Sequence, residues 1–361
     1  MTAAAIAPAR LRSQQLVASG LESPAKVVQF MVAMQAQDYP MSRWAVGVRC
    51  PGCTEGSVQE AVSAGEILRT HLLRPTWHLV SAADLRWLLD LTGPRIRASL
   101  RSRLRDLDLT PQVLRKSHRL IEKLLSGGPR GRDAIVGALN AAGIRTDENR
   151  TSHVMLAAEL DGIVTSGPEE RGKPTYALLD GRAAAGPRLP REEALGRLAR
   201  RYFASRHPAT VADFAWWSGL TLTDASRAVE ALGNELRSER VGSATCWMPE
   251  DAPAPRRARE QVHLLPAFDE YAISYEDRQA VLPGTGSAGA ISSNGIFYPL
   301  VVRDGRAIGT WKRTRHKDHV SVAVKLFKPL PRSGRASLEP LLDKACQRYG
   351  IFLGADVSAQ L

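Results

Sequence analysis

Residues Arg130 to Asp180 read RGRDAIVGALNAAGIRTDENRTSHVMLAAELDGIVTSGPEERGKPTYALLD. The segment Asp133 to Leu139 has apolar residues at helical spacing, and Gly143 stands where glycine commonly ends a helix. Asn149 is predicted to open a second helix whose apolar stripe faces inward. Two short strand-like runs follow, joined by a loop rich in turn-forming residues. This order of elements is the outline of a winged helix, a common reader of nucleic acids.

The second helix of this unit is predicted to leave three polar side chains on its exposed first turn: Arg150, Ser152 and His153. These residues are candidate DNA contacts, because recognition helices commonly read base edges through their first turn. Helix pairs followed by hairpins also occur in folds that never touch DNA, so one copy alone leaves both interpretations open.

Two further copies of the same unit are predicted. In the later one, Thr210 to Asp213 resembles a capping box with a shorter acid, Gly219 ends the helix, and Thr221 starts the next. A pair of strands follows, at about 236–241 and 244–248. A fainter early copy runs through a helix at 57–64 and strands at 67–72 and 76–80. Three copies of this unit in a basic chain favour DNA binding over a fold that never touches DNA.

Composition narrows the class of protein. The 361 residues carry a formal net charge of +12, which favours a polyanionic partner such as duplex DNA, RNA or an anionic membrane. No secretory signal and no apolar run of membrane length are evident, so a cytoplasmic protein is expected, associated with the nucleoid when bound to DNA. The four cysteines are expected to be reduced thiols, and neither a metal site nor a cofactor is predicted.

The predicted class is α+β, mainly α, with tandem winged helix-turn-helix units and a β-rich C-terminal portion. Strand-like runs dominate after residue 260, and Asp304-Gly305 predicts a tight hairpin turn. Linkers are predicted at 181–191 and 251–259. The predicted division has four parts: 1–108, the first winged-helix unit; 109–190, the second; 191–258, the third; and 259–361, the β-rich region with a basic hairpin and a final helix.

Gln35-Ala36-Gln37 is the candidate catalytic motif. A helix that begins at Pro24 is expected to place Val28, Met31 and Gln35 on one line, so Gln35 should point toward the interior or a cleft. A buried amide needs partners, because an unsatisfied one costs about 1–3 kcal/mol. On spacing alone, the ordinary interpretation is favoured, in which both glutamines bond backbone groups at the end of a helix.

The chain resembles the AlkZ-like bacterial DNA glycosylases through an ordered set of segments. They are Met34–Pro40, which holds a motif of two glutamines around an apolar residue, Leu73–Val80, Leu265–Tyr271, Asp277-Arg278 and Gly309–Lys312. The resemblance implies three tandem winged helices forming a C-shaped channel for DNA. It also implies that Gln35 and Gln37 hold a water beside C1′ of a damaged nucleotide.

The implied reaction is hydrolysis of the N-glycosidic bond of bulky N7-alkylguanine or N3-alkyladenine. It extends to the unhooking of interstrand crosslinks, and glutamine at both positions resembles the branch linked to self-resistance in producers of DNA-alkylating natural products. A neutral amide is a poor base, but alkylation at N7 makes the base a good leaving group, so orienting water is sufficient. No lysine stands beside the motif, which predicts a monofunctional glycosylase without strand cleavage.

Further DNA contacts are predicted on two segments. Arg74, Thr76 and His78 alternate along a predicted strand, so one face could meet the site near Gln35; the alternative is an ordinary edge strand. The C-terminal hairpins offer a basic surface that could press on a groove, or that is simply solvated: Arg303, Arg306, Lys312 and Arg313.

The acids Asp269, Glu270 and Asp277 are expected to brace the site, although paired carboxylates also suit a rival hydrolytic chemistry. The leading interpretation is thus an enzyme that acts as a monomer on double-stranded DNA containing an alkylated purine, without membrane partners. The alternative is a non-enzymatic winged-helix protein, either a transcriptional regulator or a protein that sequesters damaged DNA. A membrane-surface protein is a weaker third interpretation.

Overall fold

Helix predominates over strand in this chain, with 47% of residues helical and 21% in strands, which agrees with a mainly α, mixed architecture. A computed structural model describes residues 2–184, 186, 188–253, 260–282, 284 and 289–361. The predicted linker at 251–259 lies mostly outside the described residues. Among the described residues, no helix is long and apolar enough to span a membrane.

The helices, in chain order, are α1 (Ala3–Ser13), α2 (Pro24–Met31), α3 (Tyr39–Gly47), α4 (Glu55–Ala64), α5 (Ala82–Asp106), α6 (Pro111–Leu125), α7 (Arg132–Ala141), α8 (Arg150–Leu160), α9 (Arg191–Arg206), α10 (Val211–Ser218), α11 (Leu222–Glu230), α12 (Glu270–Ile273) and α13 (Arg332–Leu353). The strands are β1 (Ala33–Gln35), β2 (Ile67–Leu72), β3 (Thr76–Ser81), β4 (Arg130–Gly131), β5 (Val164–Ser166), β6 (Thr175–Leu178), β7 (Leu236–Val241), β8 (Ala244–Pro249), β9 (Val262–Leu265), β10 (Leu300–Arg303), β11 (Arg306–Arg315), β12 (His319–Leu326) and β13 (Asp356–Gln360).

The chain divides into two compact units. One comprises Met1–Val58, Gly196–Trp217 and Thr221–Leu361; the other comprises Gln59–Leu195 and Ser218–Leu220. We call them the glutamine-motif unit and the central unit, because the first contains Gln35 and Gln37. The predicted division into four parts follows different boundaries and stays a prediction, as does the tandem winged-helix channel.

The central unit contains the segment with the clearest sequence pattern. Strands β4, β6 and β5 form a three-stranded sheet in that order, and α6, α7 and α8 supply an apolar core with it. Helix α7 covers the predicted segment, and Gly143 adopts a φ of +73° just beyond it. Helix α8 starts at Arg150 and the hairpin follows, so the predicted order of elements is confirmed here.

The glutamine-motif unit is organised around a five-stranded sheet in the order β13-β12-β11-β10-β9. All neighbours in it are antiparallel except β12 and β13, which are parallel. The predicted turn at Asp304-Gly305 joins β10 and β11. The buried cluster beside this sheet includes Leu11, Leu265, Tyr271 and Val302, which come from distant parts of the chain.

The predicted capping box at Thr210 is confirmed. The Asp213 backbone N–H donates to Thr210 Oγ1 at 3.0 Å, and the Thr210 N–H donates to Asp213 Oδ2 at 2.9 Å. Gly219, at a φ of +70°, ends α10, and the Thr221 hydroxyl caps α11. Local patterns therefore place this helix pair correctly.

Helix α5 continues through Pro94 without a break. One expectation was wrong at this level. Cys50 and Cys53, expected as reduced thiols, are joined by a disulfide, whereas Cys246 and Cys346 are free and buried. Sequence separation alone does not tell whether a Cys-x-x-Cys pair is oxidised.

Candidate active site

Gln35 lies on a strand, so the prediction that it extends the stripe of a helix is wrong. Helix α2 begins as predicted, with the Ser23 hydroxyl accepting from the Lys26 N–H, but it ends at Met31. Val32 then adopts a left-handed φ of +65°, and the chain continues as β1. A β-branched residue adopts this conformation only where its surroundings enforce it.

Arg206, at the end of α9, enforces this turn from the helix to the strand. Its Nη1 donates to the carbonyl of Met31 at 2.9 Å, and its Nη2 donates to the carbonyl of Ala33 at 3.0 Å. The guanidinium thus holds the carbonyls on both sides of Val32. It is fully buried and lies 4.3 Å over the ring of Trp217. Burial is tolerated because the planar fork has its donors satisfied.

Glu270 completes this arrangement and contacts the motif itself. Its Oε1 accepts the backbone N–H of Gln35 at 2.8 Å. Its Oε2 accepts from Arg206 at 2.8 Å, from Trp217 Nε1 at 3.0 Å and from the Ser274 hydroxyl at 2.5 Å. The carboxylate is 1% exposed and has partners on both oxygens. Of the two expected roles for this acid, bracing is the one that the contacts support.

The electrostatics of Glu270 follow from these contacts. Burial opposes its ionisation, but the charge of Arg206 and the hydrogen bonds from Ser274, Arg206 and the Gln35 backbone outweigh that effect. The pKa of Glu270 is therefore lowered from 4.5 to about 2. A carboxylate with this pKa holds no proton near neutrality, so it cannot serve as a general acid there.

Asp269 has a separate partner. Arg49 binds both of its oxygens, with Nη1 and Nη2 each 2.8 Å from one of them, and both residues are buried. The same guanidinium donates to the carbonyls of Gln14 and Ala45. The neighbouring acids thus hold two different arginines and do not form a shared catalytic pair. The rival paired-acid chemistry is not supported.

The two glutamines differ in exposure. Gln35 is 6% exposed, whereas Gln37 is exposed in the loop that leaves β1. Asp38 follows as the cap of α3, its Oδ1 accepting the Met41 N–H at 3.1 Å. The motif therefore passes from a buried, anchored strand to a solvent-accessible loop that is itself fixed by a helix cap.

The predicted basic contacts of the C-terminal sheet have unequal access to solvent. Arg306 and Lys312 are exposed. Arg303 is 23% exposed and pairs with Glu260 at 3.2 Å, and Arg313 donates to the Tyr349 hydroxyl at 2.5 Å. Arg306 and Lys312 are thus the more accessible of the four.

Arg74, Thr76 and His78 of the central unit do not all lie on one strand. Strand β3 starts at Thr76, and Arg74 belongs to the turn before it. His78 is buried, and its Nδ1 lies 2.9 Å from the Thr76 carbonyl. The predicted alternation therefore applies only to Thr76 and His78.

The first turn of α8 is less exposed than predicted. Arg150 is 5% exposed, and its Nε donates to the Arg145 carbonyl at 3.1 Å. Ser152 and His153 are half-buried, and the Ser152 hydroxyl accepts from Arg132 at 3.0 Å. Burial, with the charges of Arg103 and His71, lowers the pKa of His153. The prediction of an exposed Arg150 is wrong because the loop before the helix folds back over it.

Sequence reasoning missed Arg206 and Trp217, the residues that anchor β1 together with Glu270. Arg206 ends a helix with several basic residues, and no spacing distinguishes it from the solvated ones. Its role depends on partners 64 and 175 positions away in the chain. The only local signal is a run of aromatic residues before it, Tyr202-Phe203, which predicts that this end of the helix is buried.

Comparison with known proteins gives a consistent result. The family described as DNA glycosylase AlkZ-like matches residues 28–352. An interstrand DNA cross-link repair glycosylase of Streptomyces sahachiroi is 25% identical over 320 residues, covering 84% of this chain and 85% of that protein. The solved structure of the Streptomyces sahachiroi DNA glycosylase AlkZ superposes with a TM-score of 0.80 at 21% identity, covering both chains completely.

The family match includes the glutamine motif, its bracing acid and most of the sheet described above. It favours the enzyme over the non-enzymatic regulator, and it makes DNA the substrate. The chain belongs to the AlkZ-like family and is a DNA glycosylase.

Proposed function

We propose that this glycosylase hydrolyses the N-glycosidic bond of bulky N7-alkylguanine and N3-alkyladenine, with Gln35 and Gln37 orienting the attacking water. The observation that carries the proposal is the strand β1. Glu270 holds the backbone of Gln35, and the strand leads directly to the exposed Gln37. One amide on an anchored strand and a second, exposed amide two residues further on are suited to fix a water in one position.

The chemistry requires little basicity from the protein. Alkylation at N7 or N3 makes the purine cationic, so the base departs readily and the sugar develops oxocarbenium character. The amide oxygens can orient water and stabilise positive charge without becoming charged themselves. The low pKa of Glu270 supports a positioning role for that residue, because its carboxylate forms an ion pair with Arg206.

For DNA binding we propose that helices α6 to α8 with β4, β5 and β6 form one winged helix of a tandem set that encloses duplex DNA as a monomer. The sheet order β4-β6-β5 and the helix order support it. The exposed Arg306 and Lys312 are proposed as phosphate contacts.

We further propose that the enzyme unhooks interstrand crosslinks, as the name of its Streptomyces sahachiroi relative describes for that protein. A role in self-resistance to a genotoxic natural product is proposed on the presence of glutamine at both motif positions. An excision panel over methyl, bulky monoadduct and crosslinked duplexes separates these possibilities.

The direct test uses duplex DNA with a single N7-guanine adduct. The protein is incubated with it, and hot alkali then converts abasic sites to strand breaks. We expect breaks only after the alkali step. If the protein releases no base from methyl, bulky or crosslinked purines, the proposal is wrong.

Strand cleavage needs a separate test, because the fold brings Lys312 into the wall of a cavity that Asp38 also lines. The lack of a lysine near the glutamines in the sequence therefore does not exclude strand cleavage through Lys312. Borohydride reduction during turnover should trap no covalent DNA complex for a monofunctional enzyme. A trapped complex that disappears in Lys312→Gln would establish lyase chemistry instead.

A further inference from the structure

A cavity of about 1060 Å³ lies against the start of α3, the helix that follows the glutamine pair in the chain. Asp38, Pro40 and Met41, at the start of α3, form one wall, so the cavity begins one residue after Gln37. Its other walls come from β11, β12 and residues near Tyr298 and Phe327. Ligand pockets commonly measure about 300–1,000 Å³, so this space is large enough for a group of several rings and far exceeds the needs of a methyl group.

The hairpin β11–β12 contributes small side chains and amines to the cavity. Thr310 pairs with Lys325, and Lys312 pairs with Ala323, so these four residues share one face of the sheet. All four line the cavity. Ala323, Lys312 and Lys325 are exposed. The short side chains of Thr310 and Ala323 leave space, and the two lysines supply positive charge suited to DNA phosphates.

The remaining walls are mostly apolar. Pro40, Met41, Tyr298 and Phe327 line them, and Tyr298 is 43% exposed, which is unusual for a large aromatic side chain. An exposed aromatic ring beside an apolar recess can stack on a flat group and remove it from water. Asp38, the residue that follows Gln37 in the chain, adds one carboxylate to the lining.

We propose that this cavity receives the apolar substituent of a bulky alkylated purine while the glutamine pair acts on the sugar, an inference that rests on the proposed function. The substituent is covalently attached to a base whose C1′ lies beside the attacking water, so its site must adjoin the motif. Asp38 suits the cationic purine ring, and the lysines suit the phosphates that flank it. The cavity thus selects adducts by size and apolar character.

The test compares two substrates that differ only in the adduct. One duplex carries a single N7-methylguanine, and the other carries a single guanine with a naphthylmethyl group at N7. Ala323→Trp fills the cavity from an exposed position, and Tyr298→Ala removes its aromatic wall. Ala336→Trp, at an exposed position of α13 outside the cavity, is the matched control.

We expect Ala323→Trp to lower kcat/KM for the bulky adduct by about 10- to 100-fold. The value of kcat/KM for the methyl adduct should change by less than about twofold. Tyr298→Ala should lower kcat/KM for the bulky adduct by about threefold to tenfold, with little effect on the methyl adduct. Ala336→Trp should change neither substrate. Thermal melting verifies folding, and Tyr298→Ala keeps the test decisive if the filled variant does not fold.

Equal losses on both substrates, or no loss in either variant, would overturn the cavity proposal while leaving glycosylase activity intact. Wild-type protein that excises only the methyl adduct would also overturn it. Wild-type protein that excises neither adduct refutes the proposed function, and this inference with it.

Discussion

Strand β1 and the hairpin β11–β12 belong to the same unit and present polar side chains in opposite ways. The strand is almost completely buried, and its backbone is held by the carboxylate of Glu270 and the guanidinium of Arg206. The hairpin is largely exposed, and its tip carries the stacked rings of His316 and His319. Groups that must hold a water within a fraction of an ångström need the first kind of support. Groups that neutralise phosphates tolerate the second, because charge acts over longer distances.

The largest expected effect in this comparison comes from removing the charge that anchors the strand. Glu270→Gln leaves Arg206 buried without a counter-ion, which should lower the free energy of unfolding by about 3–5 kcal/mol. Excision should fall as well, because a glutamine amide offers only one acceptor oxygen and cannot serve both the Gln35 N–H and the donors that surround the other oxygen. Urea denaturation measures the first effect and single-turnover excision the second. Glu276→Gln, an exposed acid on the same segment, should change neither.

Lowering the pH should weaken the interaction of Glu270 with Arg206 in the wild-type protein. The pKa of Glu270 is about 2 in the folded protein and 4.5 ordinarily, so its stabilisation is complete above pH 4.5 and is lost as the pH falls toward 2. The difference corresponds to about 3 kcal/mol. Denaturation midpoints measured across this range should show a slope that Glu270→Gln removes. A slope unchanged in that variant would contradict the assignment.

His263 should also make the folded protein less stable in acid, and its effect should begin at a higher pH than that of Glu270. Burial, with the charges of Arg348 and Arg49, lowers the pKa of His263 from 6.5 to about 3. The unfolded state then binds this proton first, so stability should already decline as the pH falls below 6.5. His263→Leu should flatten the stability curve between pH 6.5 and 3, and a curve unchanged by this variant would exclude His263 as the cause.

Changes in the glutamines should affect chemistry and leave the fold intact. Gln35→Ala and Gln37→Ala should each lower single-turnover excision by about 100-fold, the usual loss for a group that stabilises the reacting atoms. DNA affinity in a binding titration should stay within about twofold. Gln347→Ala, an exposed amide on α13, is the matched control. Activity equal to wild type in both motif variants would remove the glutamines from the mechanism.

The smallest expected effect lies on the hairpin. Lys312→Gln and Lys325→Gln should each weaken DNA binding by about tenfold or less and reduce the slope of affinity against salt concentration by about one. Excision at saturating DNA should be unchanged. Lys344→Gln, on the exposed face of α13, should leave the slope as it is. Loss of excision at saturation would mean that a hairpin lysine acts in the reaction.

Local sequence predicted the parts of the fold that depend on near neighbours. Thr210 and Thr221 cap helices as their patterns indicate, α2 begins at Pro24, and Asp304-Gly305 turns the chain between β10 and β11. These outcomes follow from contacts within three or four residues. The end of α2 could not be predicted in this way, because its cause lies in Arg206, far along the chain.

The position of the motif was thus recognisable from sequence, but its conformation was not. Gln35-Ala36-Gln37 and the neighbouring acids Asp269 and Glu270 stand out because they belong to an ordered set of segments that resemble one family. Only the tertiary structure unites Gln35 with Glu270 and Arg206, and only it opens a cavity beside Asp38. The physical reason is that a left-handed Val32 and a buried carboxylate are each unfavourable alone, and they become stable when distant groups satisfy them together.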